Sequence, residues 1–290
     1  MSYAIRGVAL NNTIRVLAIN STSLVKEVQQ QLKLSPCASA ALGRTMAITS
    51  LLGLMQKNDD QVFITIDGKG PLGKIHTQYL GNGQLRGYVD NPQVATIINE
   101  QHKLGVKEVV GNDGYLNVNI RQSLKSDYHG SVPLVSGEIS EDFTYYFAHS
   151  EQTPSVVSAG VLVAKDEAII SSGALIIQLL PQAAEEEIKF IESKLAEISD
   201  LSKKLEDNSK IEDFVRTIFN DFVILAKQPI DYTCLCNYED MQAKISTLPL
   251  VDLEEIKKED HGLEAVCPWC NTKYYFDEND LEIIIELKKG

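Results

Sequence analysis

Cys234-Leu235-Cys236 and, after a gap of thirty residues, Cys267-Pro268-Trp269-Cys270 are the stretches that decide how this 290-residue chain is read. One C-x-C and one C-x-x-C pair, each on a tight turn, supply the four thiolates of a tetrahedral zinc site, so Cys234, Cys236, Cys267 and Cys270 are the candidate ligands. Four sulfurs fill every coordination position. Such an ion has no open place for a catalytic water and serves as structure or as a thiol store, not as a Lewis acid. The plainer alternative is a zinc knuckle that only holds a small C-terminal domain together. Disulfide staples fit less well, because Met1 to Leu10 has neither a basic n-region nor a long apolar h-region, and a reducing, cytoplasmic location is expected.

Outward from the cysteines, charge narrows the partners. Lys and Arg total 27 against 40 Asp and Glu, a formal net charge of −13. Residues 231–290 alone hold six Lys/Arg against fourteen Asp/Glu, a net of −8. Nucleic acid and anionic membranes both require a cationic surface, so neither is an expected partner. The longest apolar run, Ala174 to Leu180, is too short to span a bilayer and is interrupted by Gln178. A hydrophobic fraction of 44% is that of a soluble globular protein with a real core.

Upstream, Tyr3 to Leu10 and Ile14 to Asn20 alternate as strands around Asn11-Asn12-Thr13, a hairpin. Ser21 to Lys33 is expected to be helical. Ser35-Pro36 then caps a second helix that runs to Met55 and carries Ala38, Ala40, Ala41, Gly43 and Ala47 on several faces, the pattern of a buried helix. Cys37, in its first turn, reads as a small buried hydrophobe. Strands are expected at Val62 to Ile66, Leu72 to Tyr79, Gln84 to Val89, Val106 to Val110 and Tyr115 to Ile120. The glycines of Asp67-Gly68-Lys69-Gly70-Pro71 and Gly81-Asn82-Gly83 are hairpin turns, since neither cluster has phosphate-loop spacing. The five histidines, at 76, 102, 129, 149 and 261, have no metal or triad spacing.

Ser140-Glu141-Asp142 predicts a helix cap followed by an aromatic core stripe of Phe143, Tyr146 and Phe147, ended by Pro154. Val156 to Ala164 and Ala168 to Leu180 form an apolar hairpin. Residues 181–230 then turn strongly charged, with eleven acidic and seven basic side chains. One helical stripe is expected at Ile188, Ile191, Leu195, Ile198 and Leu205, and a second helix at Ile211 to Lys227. A segment with one apolar face makes few internal contacts and loses its order cheaply. The fold class is α+β: a β-rich core domain with packed helices (1–180), a helical linker (181–230) and a small C-terminal zinc-binding domain (231–290).

Thr233-Cys234-Leu235-Cys236-Asn237 with Glu239, and Cys267-Pro268-Trp269-Cys270-Asn271 with Lys273-Tyr274 and Phe276, resemble the zinc-binding C-terminus of the heat-shock protein 33 family of redox-regulated chaperones. The resemblance continues through Ala38-Ser39-Ala40-Ala41-Leu42-Gly43-Arg44-Thr45, Arg86-Gly87-Tyr88-Val89-Asp90-Asn91-Pro92, Asp142-Phe143-Thr144-Tyr145-Tyr146 and Ser150-Glu151-Gln152. It implies an ATP-independent holdase, not an enzyme. In the reduced state it is quiet and holds one Zn²⁺ per chain. When oxidised it binds unfolding proteins, and the active state is a homodimer. It also implies that the four cysteines are redox-active; neighbours in sequence, Cys267 with Cys270 and Cys234 with Cys236, are expected to pair because the metal already holds those sulfurs together, followed by zinc release and loss of order in the zinc domain and linker. Clients are expected on apolar surface of the core and linker, Val156 to Leu180 included. The chain departs from the family pattern at Asp240, where arginine is usual, and at Leu248-Pro249, where Leu-Gly is common. The runner-up is a thiol-disulfide oxidoreductase using Cys267 and Cys270, and a third reading is a zinc-ribbon binding module without redox function.

Overall fold

Alternation at the N-terminus produces the expected hairpin: β1 (Ser2–Ala9) pairs antiparallel with β2 (Ile14–Asn20). Its turn takes Asn11 and Asn12 through the left-handed region at φ 53° and 64°, which asparagine tolerates better than most residues. The structure, a computed structural model, describes residues 2–57, 59–100, 102–123, 126–205 and 210–289. The chain folds as two compact units, 1–233 and 234–290.

In the first unit, α1 (Thr22–Leu32) leads into α2 (Pro36–Met55), whose first turn is closed by Ser35 Oγ accepting the Ala38 N–H at 3.4 Å. Nearly every side chain of α2 is buried, because its alanines and glycines let neighbours approach on all sides. At Gly53 a Cβ would lie 2.3 Å from the Tyr79 ring. Among the described residues α2 is the one helix long and apolar enough to cross a membrane, and 89% of that stretch is buried in the core. There follow β3 (Gln61–Asp67), β4 (Lys74–Gly81), β5 (Gln84–Val89), α3 (Val106–Val110), β6 (Tyr115–Arg121), β7 (Tyr128–Pro133), α4 (Ser140–His149), β8 (Ser155–Val163) and β9 (Ile169–Leu179). The remaining elements of this unit are α5 (Glu185–Ser193), α6 (Leu195–Ser199), α7 (Leu201–Lys204), α8 (Ile211–Ile218) and β10 (Val223–Tyr232). Ten strands form one sheet in the order β7-β6-β3-β4-β5-β10-β1-β2-β9-β8.

Two apolar clusters sit against this sheet. The first surrounds α2 and takes in Leu42, Met46, Ile48, Ile64, Ile75, Phe143 and Tyr146. The second joins Ile5, Ile14, Val16, Leu175 and Ile177 to Ile191, Ile198, Leu201, Leu205, Phe214, Val215 and Phe219. Strand residues of opposite parity thus face different cores, and α5 to α8 with Phe219 and Phe222 cover what would otherwise be a bare apolar sheet face.

Four expectations are corrected. Val106 to Val110 is helical, not a strand: Val106, Val109 and Val110 are buried at helical spacing. Ile211 to Lys227 is not one helix, because α8 ends at Ile218 and the chain becomes β10, which pairs with β1 along its length and with β5 at Asp231 and Tyr232. Close approach of β10 requires Gly7, where a Cβ would lie 2.2 Å from the Val223 carbonyl oxygen. The cap of α4 is Ile139, not Ser140. Ile139 sits at φ 73°, held there by the buried Asp142 carboxylate, which accepts the N–H groups of Val135, Ser136 and Ile139 at 2.8, 3.0 and 2.9 Å. The stripe at 188–205 is only partly buried. The helix breaks around Lys194 and Asp200, so Ile191, Ile198 and Leu205 face the core while Ile188 and Leu195 are exposed. Strand β7 was not foreseen.

Candidate metal centre

The second unit is built from α9 (Tyr238–Ile245), α10 (Leu250–Glu259), the hairpin β11 (Gly262–Val266) and β12 (Lys273–Asp277), and α11 (Glu278–Lys289). Its own apolar core is small: Met241, Ile245, Leu253, Phe276, Leu281, Ile284 and Ile285, with Tyr238 stacked on Phe276 at 4.5 Å. A core of this size contributes little stability without a cross-link or a metal.

The expected turn is present at one cysteine pair, while Cys234 and Cys236 lie in an irregular stretch ahead of α9. Cys267 to Cys270 occupies the turn of the β11–β12 hairpin, where the Cys267 N–H donates to the Thr272 carbonyl at 2.9 Å and the Asn271 N–H to the Cys267 carbonyl at 2.8 Å. Asn271 closes this turn at φ 58°. Cys234 and Cys236 precede Asn237, the N-cap of α9, whose Oδ1 accepts the Asp240 N–H at 2.7 Å. The hairpin turn and the stretch ahead of α9 bring all four sulfurs within 4.8 Å of one another. Cys234 Sγ lies 3.7 Å from Cys267 Sγ, and Cys236 Sγ 3.4 Å from Cys270 Sγ. At a Zn–S distance of about 2.3 Å, sulfurs at the corners of a regular tetrahedron stand about 3.8 Å apart. The donor set and its spacing therefore fit a closed four-thiolate zinc site.

Two hydroxyls complete the surroundings. Tyr274 Oη donates to Cys236 Sγ at 3.1 Å, and Thr272 Oγ1 lies 3.1 Å from Cys270 Sγ. Burial pushes the Cys234 and Cys267 thiols above their ordinary range. Burial works in the same sense on Cys270, but hydrogen bonding with Thr272 and the neighbouring sulfurs outweighs it and lowers that thiol to about 7. The Tyr274 hydroxyl is raised, chiefly by its bond to Cys236, so it remains a donor. Neither hydroxyl was assigned a role from the sequence. Thr272 and Tyr274 follow the Cys267–Cys270 turn directly, Tyr274 on β12 and Thr272 just ahead of it, and polar side chains so close to a thiol pair are the signal that could have found them.

The other candidates lie elsewhere. His261 is bonded through Nδ1 to Glu278 Oε1 at 2.7 Å and does not belong to the sulfur cluster. Cys37 is fully buried in the first unit, with the Ile97 N–H donating to its Sγ at 3.4 Å, and burial raises its thiol.

A large sheet with one buried helix and a small second unit carrying four clustered thiols that could hold a metal ion define an α+β protein with a candidate thiolate metal centre. The profile of the Hsp33 protein family matches residues 2–277. The 33 kDa chaperonins of Staphylococcus aureus strains Newman and COL are 40% identical over 286 residues, covering 98% of this chain and 98% of theirs. The crystal structure of the 33 kDa chaperonin (heat shock protein 33 homolog) of Thermotoga maritima aligns with a TM-score of 0.90 at 32% identity, covering 99% of this chain and 98% of that one. The chain belongs to the Hsp33 family of chaperones.

Proposed function

We propose that the chain is a redox-regulated, ATP-independent holdase that binds unfolding proteins under oxidative stress. The observation that carries this reading is the four-sulfur cluster in a unit with a small core of its own. Cys234, Cys236, Cys267 and Cys270 would hold one Zn²⁺ per chain, and bound zinc would keep the sulfurs as thiolates and cross-link the unit. Thiolates are the nucleophilic form of cysteine and react with peroxide. Four thiolates forming two disulfides release four electrons, which reduce two molecules of peroxide to four of water with uptake of four protons. Disulfide sulfur is a poor metal ligand, so the unit loses its cross-link and unfolds.

The proposed division is a core at 1–180, a linker at 181–230 and a redox switch at 231–290. The linker covering the second apolar cluster is the part whose release exposes a client surface: melting 185–222 bares Ile5, Ile14, Val16, Leu175 and Ile177 on the sheet. Strand β10 lies in the sheet and has no need to leave. Clients are unfolded or partly unfolded proteins, the active state is a homodimer, and the location is the cytoplasm.

The proposed pairing is Cys267 with Cys270 and Cys234 with Cys236. Sulfur–sulfur contacts of 3.7 and 3.4 Å run between the two pairs, so distance in the reduced centre does not choose the partners. Chain entropy does: once the centre opens, neighbours in sequence stay close, whereas joining Cys234 to Cys267 closes a loop across 33 residues.

The test compares suppression of aggregation of a thermally unfolding protein by reduced and by peroxide-treated chain, without nucleotide, with zinc release and peptide mapping of the disulfides alongside. Activity in the oxidised sample only, together with zinc loss, is expected. Equal activity in both samples would leave a zinc module without redox function. The oxidoreductase alternative is disfavoured because Cys267 and Cys270 lie on a strand-to-strand turn facing two further sulfurs, not at a helix start.

A further inference from the structure

Strand β8 ends the ten-stranded sheet, and its outer edge is treated differently along its two halves. On the first half, backbone groups that point away from β9 are taken by hydroxyls of α4: the Val157 N–H donates to Thr144 Oγ1 at 3.3 Å and the Ala159 N–H to Ser140 Oγ at 2.9 Å. Strand alternation puts the Val161 N–H and C=O on that same side. There they have no partner among the described residues. An open strand edge is a template for another strand, and proteins usually cover it or place charge beside it.

This edge stands in a groove of about 490 Å³. One wall is 159–165, and the other is formed by Thr96, Ile98, His102, Lys103 and Leu104, with Ile98 and Leu104 joined by a backbone bridge. Ile98 is 59% exposed. Arg44, Lys103, Lys165 and Lys203 line the groove against Glu167 and Asp200. Lys203 is paired with Asp200 and Arg44 with Glu138, while Lys103 and Lys165 have no ion pair among the described residues. Arg44 Nε is buried without a partner. In a chain of net charge −13, a groove of mixed polar and apolar lining beside an open strand edge with two unspent lysines selects an occupant of opposite charge.

We propose that this groove takes an extended, acidic polypeptide segment, which adds to β8 as a further strand. Its backbone would exchange hydrogen bonds with Val161, an apolar side chain would lie on Ile98, and acidic side chains would reach Lys103 and Lys165. The site goes beyond the holdase reading, since it is present in the folded chain with all four thiols reduced.

The experiment uses the full chain, reduced and zinc-loaded, and fluorescence anisotropy of a labelled octapeptide alternating Val and Glu. Saturable binding is expected. It should weaken about tenfold in a Lys103→Glu/Lys165→Glu variant, and again in Val161→Pro, which removes an outward N–H without costing a ladder bond. The same peptide N-methylated at alternate residues, and its Val-Lys counterpart, should fail to bind. No binding of the acidic peptide, equal binding of the Val-Lys peptide, or indifference to the lysine variant overturns the proposal. Undiminished binding of the N-methylated peptide reduces the site to a charged patch and overturns strand addition. A dimer in sedimentation that dissociates in Val161→Pro assigns the edge to a second copy instead. The N-methyl and lysine arms decide the matter even if Val161→Pro does not fold.

Discussion

Replacing Phe219 by alanine separates the docking of the linker from the stability of the core. Phe219 is 1% exposed and belongs to the second apolar cluster, its ring 6.1 Å from that of Phe190. Truncating a buried phenylalanine costs about 3–5 kcal/mol. The cluster joins the outer sheet face to 185–222, so this cost falls on the equilibrium between docked and released segment, while the cluster around α2 is untouched. At about 1.4 kcal/mol per decade, the opening constant rises about 10²-fold to more than 10³-fold. Hydrogen exchange on the reduced, zinc-bound chain should show amides of α5 and α8 losing protection by that factor, with β3 and β4 unchanged. The reduced variant should also suppress aggregation without peroxide. Phe147→Ala is the control: Phe147 is equally buried but lies in the first cluster, and its loss should destabilise the unit without selectively opening the linker. If Phe219→Ala lowers protection of both cores alike, or opens 185–222 and leaves the reduced chain inactive, release of this segment is not what activates the protein.

Three further outcomes follow from named contacts. Tyr274→Phe removes the hydroxyl that donates to Cys236 Sγ, and zinc affinity by chelator competition should fall about tenfold; an unchanged affinity would remove the hydroxyl from the site. Glu212 receives the Tyr3 hydroxyl at 2.5 Å and pairs with Lys227 at 3.2 Å; burial opposes its ionisation, but these partners outweigh it and hold its carboxyl below the ordinary 4.5. A depressed carboxyl contributes stability above its unfolded value that is lost as pH falls through the folded one, so α8 protection should drop below about pH 4.5 in the wild type and be insensitive there in Glu212→Gln. Asp240→Arg should lower the urea midpoint of the zinc-loaded 234–290 unit, read by the fluorescence of Trp269, the chain's single tryptophan; a rise at physiological salt would show that relief of acidic repulsion outweighs the cap.

Where sequence and structure agree, local pattern and burial ask for the same thing. The Asn-Asn hairpin, the Ser-Pro start of α2 and the turn at Cys267–Cys270 are each specified within a few residues, so tertiary context had little to override. The misreadings have a common cause in what a segment packs on. Val106-Lys107-Glu108-Val109-Val110 is β-branched enough to suggest a strand, yet its three valines fall on one helical face and all three are buried. Phe219 and Phe222 continue the helical spacing of α8, but Val223-Ile224-Leu225-Ala226 satisfies a strand equally well, and the opening beside Gly7 on β1 settles the choice. That opening lies more than two hundred residues away in sequence, out of reach of any local window. Strand β7 was hidden by its polar composition. At Gly130 a Cβ would come within 2.8 Å of the Ser150 and Tyr128 hydroxyls, so the residue that weakens the strand signal is the one the packing requires.

The two departures from the family pattern lie on the same side of the energy balance. Asp240 is the third residue of α9: its N–H goes to Asn237 Oδ1 at 2.7 Å and its carboxylate accepts Asn237 Nδ2 at 3.0 Å, so cap and side chain hold each other. A carboxylate there also faces the positive end of the helix dipole, worth about 0.3–1 kcal/mol, where an arginine would be repelled. Pro249 stands at the cap of α10 with φ −53°, a value its ring already prefers, and its carbonyl accepts the Leu253 N–H at 3.1 Å. Compared with glycine it removes freedom from the unfolded chain, stabilising the fold by about 0.4–1 kcal/mol. Neither residue touches a sulfur. Both instead add to the part of the unit's stability that does not come from metal, and that part persists when thiolates are oxidised. If unfolding of this unit is the switch, these residues set how complete the oxidation must be before it turns, and they do so from the helix ends and not from the metal centre.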